Sequence, residues 1–451
     1  MQFPKLSTLN NKHILALVGN IVISVFSILT VALLARILSK DDMGTWFFFF
    51  YIYSLADAIR TGLLTTATVK FYAGAAPDRA VAVLGSVWYL ALGLTCIMAL
   101  LNLCALPFMP MINNSEVIIL IQWFGLTVLS SLPFNITFWI LVADEDYLKI
   151  LWLRLINSGS TILCYAILAY MGKATLFNVM FANFATNCLT SLISMAFGYS
   201  KLITLFKRTK EATAELLAFG KFSLSSTVSS NLLGSANGFI VNALLGPTAL
   251  AIFTIPNKLM EIVEIPLRSF VGTGMSAMAT AYNNNNMYHL TFVSKKYAGM
   301  LTLVFIPLAV ITFFGADLAV WLLGGSKYTG GEAANILRVM MFIAILYPID
   351  RFNGVTLDII NQPKINVYKV ILMGTVNIIV AVVAIYFLKH VYGVVIATFC
   401  TTVAGVIFGY HHLRKHLNYT ISDILSLGYV ELKNFYNEKV LKKPPLNPPV
   451  Q

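Results

Sequence analysis

The chain has 451 residues, of which 58% are hydrophobic and only 11% charged, against about 25% charged in a soluble domain. A soluble globule of this size cannot bury so much apolar surface, which excludes the ordinary soluble enzymes and binding modules. The formal net charge of +12 would suit nucleic acid, but its distribution along the chain points to a membrane instead.

Met1 to Lys12 is polar, reads as no cleavable leader, and runs into a long apolar helix. Apolar stretches of roughly 20 residues cross hydrocarbon as helices, because each must satisfy its own backbone groups. Their polar breaks predict six spans at 14–38, 45–71, 81–105, 117–143, 150–171 and 176–200. Six more follow at 222–245, 248–281, 296–316, 333–360, 366–388 and 391–412. Pro256 and Pro266 predict a kink in the eighth. The asparagine run 283–286 reads as a solvated turn, and the loop 316–332, with Asp317, Lys327 and Glu332, as the longest external connection. The short alternating segments of a β-barrel are absent. The expected fold is therefore all-α, with about twelve transmembrane helices in two six-helix bundles. The domains are an N-terminal lobe 1–200, an amphipathic linker 201–221, a C-terminal lobe 222–412 and a basic tail 413–451. Cys96, Cys104, Cys164, Cys188 and Cys400 fall in apolar stretches without a Cys-x-x-Cys spacing and read as small buried hydrophobes.

Lysine and arginine set the orientation. With a cytoplasmic N-terminus, nineteen of the 31 basic residues fall on cytoplasmic segments, eight within helices, and four (Lys40, Lys173, Lys327 and Lys389) outside. Both termini are expected in the cytoplasm, with Arg414, Lys415, Lys433, Lys439, Lys442 and Lys443 facing anionic headgroups.

The chain repeats itself. Residues 37–46 match 244–253 at an offset of 207, each a helix exit, a tight turn and an aromatic opening the next helix. Leu148-Lys149-Ile150 and Arg154 match Pro363-Lys364-Ile365 and Lys369 at an offset of 215. Six helices per half give both halves one orientation, a parallel repeat with two bundles facing across a cleft.

Charges inside spans are costly and mark candidate sites. The basic ones are Arg36, Arg60, Arg154, Lys258, Arg268, Arg338, Arg351 and Lys369; the acidic ones are Asp57, Glu261, Glu264, Asp350 and Asp358. The positive excess suits an anionic ligand. Asp57 maps onto Glu264 through the repeat, each with an arginine one turn later, and Lys258, Glu261, Glu264 and Arg268 share an arc of about 120°. Arg154 and Lys369, near helix starts, read as snorkelling to headgroups.

The segment Ala32-Leu-Leu-Ala-Arg-Ile-Leu-Ser-Lys-Asp-Asp-Met-Gly-Thr-Trp46 resembles the first-helix exit of polysaccharide flippases. These are the O-antigen-type transporters of the multidrug/oligosaccharidyl-lipid/polysaccharide exporter superfamily. Helix count and repeat extend the resemblance to about residue 412. It implies a V-shaped, two-lobed fold and alternating access, without catalysis. The implied substrate is a polyprenyl-pyrophosphate-linked oligosaccharide, flipped across a bacterial inner membrane. Implied partners are that lipid-linked sugar, membrane lipids and other polysaccharide-assembly proteins, and not nucleic acid. In the related lipid II flippases basic residues of the first, second and eighth helices line the cavity. The matching positions here are Arg60 and Arg268, while the first helix departs from the pattern, its Arg36 lying at the outer end.

The expected substrate contacts are thus Arg60, Arg268, Lys258, Arg338 and Arg351. Asp57, Glu261, Glu264 and Asp350 serve charge pairing or ion coupling. No cofactor is expected beyond a coupling cation, proton or sodium. A potential of 100 mV contributes about 2.3 kcal/mol per charge moved, enough to help export an anion. A cation-exporting multidrug transporter of the same fold is the first alternative, and calls for an acid in a hydrophobic cavity. A polytopic enzyme of polysaccharide assembly is the second, and calls for a large external catalytic loop.

Overall fold

The computed structural model describes residues 12–417 and 419–439, so Lys442 and Lys443 of the expected basic tail lie outside the described residues. Fourteen α-helices follow in order among them: α1 Lys12–Ile37, α2 Lys40–Tyr72, α3 Pro77–Ala105, α4 Ser115–Ala143, α5 Tyr147–Tyr170, α6 Leu176–Ala196 and α7 Lys210–Leu245. The others are α8 Pro247–Asn283, α9 Met287–Gly324, α10 Glu332–Ala344, α11 Tyr347–Ile359, α12 Pro363–Leu388, α13 Tyr392–Leu413 and α14 Ile421–Lys439. The fold is all-α. Helix starts carry the expected local chemistry: Ser39, Asn114, Asp146, Thr175, Thr209 and Asn286 each accept a first-turn amide with a side-chain oxygen. The asparagine run is a turn whose last member caps α9, with Asn285 in the left-handed region at φ 56.

Nine described helices are long and apolar enough to cross a membrane, and α10 and α11, bent by 43° at their break, are so only taken together. The break of the expected span 333–360 falls at Ile345 and Leu346, just before Pro348, which has no N–H to continue the ladder. By contrast α8 runs unbroken through Pro256 and Pro266. Helices α7 and α8 have 36 and 37 residues, ample length, but α7 is rich in Ser and Asn and α8 holds four charges between residues 258 and 268. The expected loop 316–332 is shorter than its sequence implied, since α9 extends to Gly324 and takes Asp317 into the helix.

The chain divides into two compact units: residues 1–242 with 246–251, and residues 243–245 with 252–451. In the first, the core gathers Leu64, Val87, Trp88, Ile136, Trp139 and Leu216 from α2, α3, α4 and α7. The 201–221 stretch belongs to this unit. Its 202–207 part is a short 3₁₀ turn against α3, where a Cβ on Gly85 would stand 2.4 Å from the Thr204 carbonyl. Trp88 donates to the Ser200 carbonyl at 2.8 Å, and Ile203 and Phe206 face outward. Residues 210–221 are the first turns of α7, which packs antiparallel along α2 from Phe71–Phe219 to Tyr51–Phe239. The repeat is visible in the element order, α2 and α8 starting at Lys40 and Pro247. Thr248 donates to Asp41 at 3.2 Å, two positions 207 apart.

In the second unit α14, expected only as part of a basic tail, is an ordered helix on α9. Gly299 and Gly428 meet backbone to backbone: a Cβ on Gly428 would lie 2.3 Å from the Gly299 carbonyl carbon. Lys295 pairs with Asp423 at 3.0 Å, and Lys296 with Glu431. At 38 residues α9 is about 57 Å long, more than the roughly 30 Å of hydrocarbon, so there is helix to spare for α14. None of the five cysteines forms a disulfide, and none is buried; Cys96 and Cys104 are exposed, correcting the expectation that they pack inside.

Candidate functional site

Unit by unit, the intramembrane charges divide into those sealed in protein and those on the surface. Arg60 on α2 is sealed: its exposure is 0%. Its Nε and Nη2 donate to Asp57 Oδ1 at 3.2 and 2.6 Å, Nη1 to Thr95 Oγ1 and the Val128 carbonyl, and Nη2 also to Ser131 Oγ. A guanidinium has five N–H donors, and five bonds are made. The expectation that Arg60 offers its charge to a phosphate therefore finds no free donor here. Asn135 on α4 donates to the same Asp57 oxygen at 3.0 Å, so Asp57 is a charge-pairing residue.

The repeat-related pair on α8 has the opposite burial. Arg268 pairs with Glu264 at 2.9 Å, but its side chain is 72% exposed. One turn back along the helix, Lys258 pairs with Glu261 at 2.8 Å. Helix α8 packs on α11, where a Cβ at Gly274 would stand 2.7 Å from the Phe352 ring. Arg351 is exposed and among the described residues pairs with no carboxylate. Its neighbour Asp350 points inward. Lys369 of α12 lies 2.7 Å from its Oδ1, both side chains nearly shut from solvent. Arg338 lies on α10. It pairs with Asp317 and donates to the Phe313 carbonyl at 2.9 Å and to Asn335 at 2.6 Å, tying α10 to α9.

The two residues read as snorkelling engage neighbouring helices, Lys369 buried and Arg154 partly exposed. Lys369 turns to Asp350, and Arg154 donates to Asn20 of α1 at 3.3 Å while stacking on Phe138 at 4.7 Å. The signal was present in the repeat. At the offset of 215 that aligns Arg154 with Lys369, Asp350 corresponds to Asn135. The second unit closes an acid–base pair across its helices; in the first the acid is an asparagine engaged with Asp57, and Arg154 is left without a carboxylate among the described residues.

A family model described as polysaccharide biosynthesis protein matches residues 33–332, two thirds of the chain. The chain belongs to that polysaccharide biosynthesis family. No curated protein sequence matches it. Solved structures resembling this family member are transporters. An inward-facing multidrug resistance MATE transporter of the MOP superfamily aligns with TM-score 0.70 at 17% identity, over 87% of this chain and 95% of that one. The lipid II flippase MurJ, in an inward closed conformation, aligns with TM-score 0.66 at 14% identity, over 94% and 92%. A MOP superfamily transporter from Pyrococcus furiosus, whose title speaks of a binding pocket of reversed polarity, aligns with TM-score 0.55 at 18% identity, over 90% and 95%. These likenesses place the polysaccharide biosynthesis chain in the MATE-like fold, as a multi-pass membrane protein.

Proposed function

We infer that the protein flips a polyprenyl-pyrophosphate-linked oligosaccharide from the cytoplasmic to the outer leaflet by alternating access, in a bacterial inner membrane with both termini cytoplasmic. Family membership supports polysaccharide work and a transporter fold. The observation that carries the choice of an anionic substrate is Arg351, an exposed guanidinium five residues past the break of the apolar α10–α11 pair, with no carboxylate paired to it among the described residues. A charge within an apolar membrane segment is expensive unless something binds it, and a pyrophosphate accepts from guanidinium in a bidentate fork. Arg268 and Lys258 are further cations of the same unit, on α8, which packs on α11 where Gly274 meets Phe352. Arg60 holds the first unit together instead.

The test is complementation in cells that need this chain for a surface polysaccharide. Arg351→Ala orphans no acid, so it should accumulate normally while flipping falls about ten- to hundredfold, the equivalent of one charge-assisted hydrogen bond of ~1.5–3 kcal/mol. Lipid-linked oligosaccharide should build up on the cytoplasmic side. Undiminished polysaccharide in both Arg351→Ala and Arg268→Ala, at normal protein levels, would remove the anion site.

A further inference from the structure

Lys369 sits seven residues into α12 and is 3% exposed. Its Nζ lies 2.7 Å from Asp350 Oδ1 and donates at 2.7 Å to the Asp350 main-chain carbonyl. The surroundings are shaped to let this happen. On α11 a Cβ at Gly354 would come within 3.4 Å of Nζ, and on α13 a Cβ at Gly405 would stand 2.5 Å from Asp350 Oδ1. One turn beyond Asp350, Asn353 is fully buried, and its Oδ1 has no hydrogen-bond partner among the described residues. A carboxylate oxygen and a main-chain carbonyl are what a hard, dissociable cation seeks. Here an ammonium that belongs to the chain donates to the carbonyl and stands in ion-pair contact with the carboxylate oxygen, which has no hydrogen bond of its own among the described residues. The repeat adds a contrast: the corresponding position of the first unit is Asn135, where no carboxylate needs a cation.

We propose that Lys369 is a tethered cation, filling at Asp350 the place that a proton or sodium ion would otherwise take. The Asp350 carboxylate is thereby withdrawn from ion exchange, and the second unit completes its cycle without loading or releasing a cation there. The meaning for coupling rests on the transporter reading; the ion chemistry at the site does not. It follows that sodium sensitivity is latent and appears once the ammonium is removed. With Lys369 shortened, Asp350 is left a buried unpaired carboxylate, and a small cation from solution then stabilises the fold by binding it.

The experiment uses the full chain purified in detergent and its thermal unfolding midpoint in sodium chloride, potassium chloride and choline chloride at one ionic strength. The native protein should give the same midpoint in all three, to within about 1 °C. Lys369→Ala should unfold on the order of 5 °C lower in choline, with sodium restoring at least half of that loss. Lys369→Gln, whose amide can still donate to Asp350, keeps the test open where the alanine variant does not accumulate, and should also gain a sodium response. Adding Asp350→Asn to either variant should abolish the response. A sodium-raised midpoint in the native protein would overturn the proposal, and so would indifference to sodium in both single variants. None of these readings requires the lipid-linked substrate. A failed complementation therefore leaves this result standing, and a failed cation test leaves the substrate reading standing.

Discussion

Arg60→Ala is expected to remove most of the folded protein from the membrane rather than to weaken a substrate contact. The substitution deletes five hydrogen bonds at once and leaves Asp57, a quarter exposed, as an uncompensated charge held by Asn135 alone. Breaking one partner out of a buried ion pair costs about 3–5 kcal/mol, a large part of a typical net stability of roughly 5–15 kcal/mol. The measurement is the amount and melting temperature of the detergent-extracted chain. A pair of apolar replacements is far cheaper than one broken pair. Arg60→Met combined with Asp57→Leu should therefore recover much of what Arg60→Ala loses, and should keep some transport. A stable Arg60→Ala protein that had lost transport alone would return this arginine to the substrate path.

Gly428→Leu is expected to act just as strongly but over a smaller region. At this crossing α14 and α9 touch through their main chains, and a Cβ on Gly299 would lie 1.9 Å from the Ile424 carbonyl. No rotamer choice relieves a clash with backbone, so the helices must part. Separation gives up the burial of Ile424 and Tyr419, worth about 1.5–3 kcal/mol per large apolar side chain, and opens the Lys295–Asp423 and Lys296–Glu431 pairs. Limited proteolysis should then cut between residues 413 and 421 while the membrane helices stay protected. A variant as resistant as the parent in that segment would show that α14 tolerates the added side chain without leaving α9.

Helix positions were largely legible because hydropathy is a strong local signal and the bilayer fixes the length of each run. The start of α8 could be read from that of α2 across 207 residues because the repeat preserves the turn between them. What escaped was partnership. Arg60 and Arg268 look alike in sequence, each an arginine one turn after an acid, yet one is sealed between three helices and the other stands in the open. Their difference lies in Thr95, Ser131 and the Val128 carbonyl, contributed by helices far along the chain. Lys369 was misplaced for the same reason, since a lysine near a helix start commonly reaches headgroups unless a neighbour offers it a buried acid. The docked α14 was hidden by composition: lysines and glutamates read as a solvated tail until Gly428 is seen lying on Gly299. The break at residues 345–346 is marked in sequence only by Pro348, and a proline inside an apolar run need not interrupt the helix, as Pro256 and Pro266 in α8 show.

The two ion pairs of α8 bear on how this helix enters the bilayer during synthesis. A lone charge at the centre of an inserting helix adds about 2.5–3.5 kcal/mol, and α8 carries four such residues within eleven positions. Lys258–Glu261 and Glu264–Arg268 are both made within the helix itself, three and four residues apart. They can therefore close as soon as the turn forms, before α11 has left the ribosome. The segment reaches the insertion machinery already carrying its counter-ions, electrically neutral along its length. The exposed Arg268 is delivered into the membrane by the glutamate beside it.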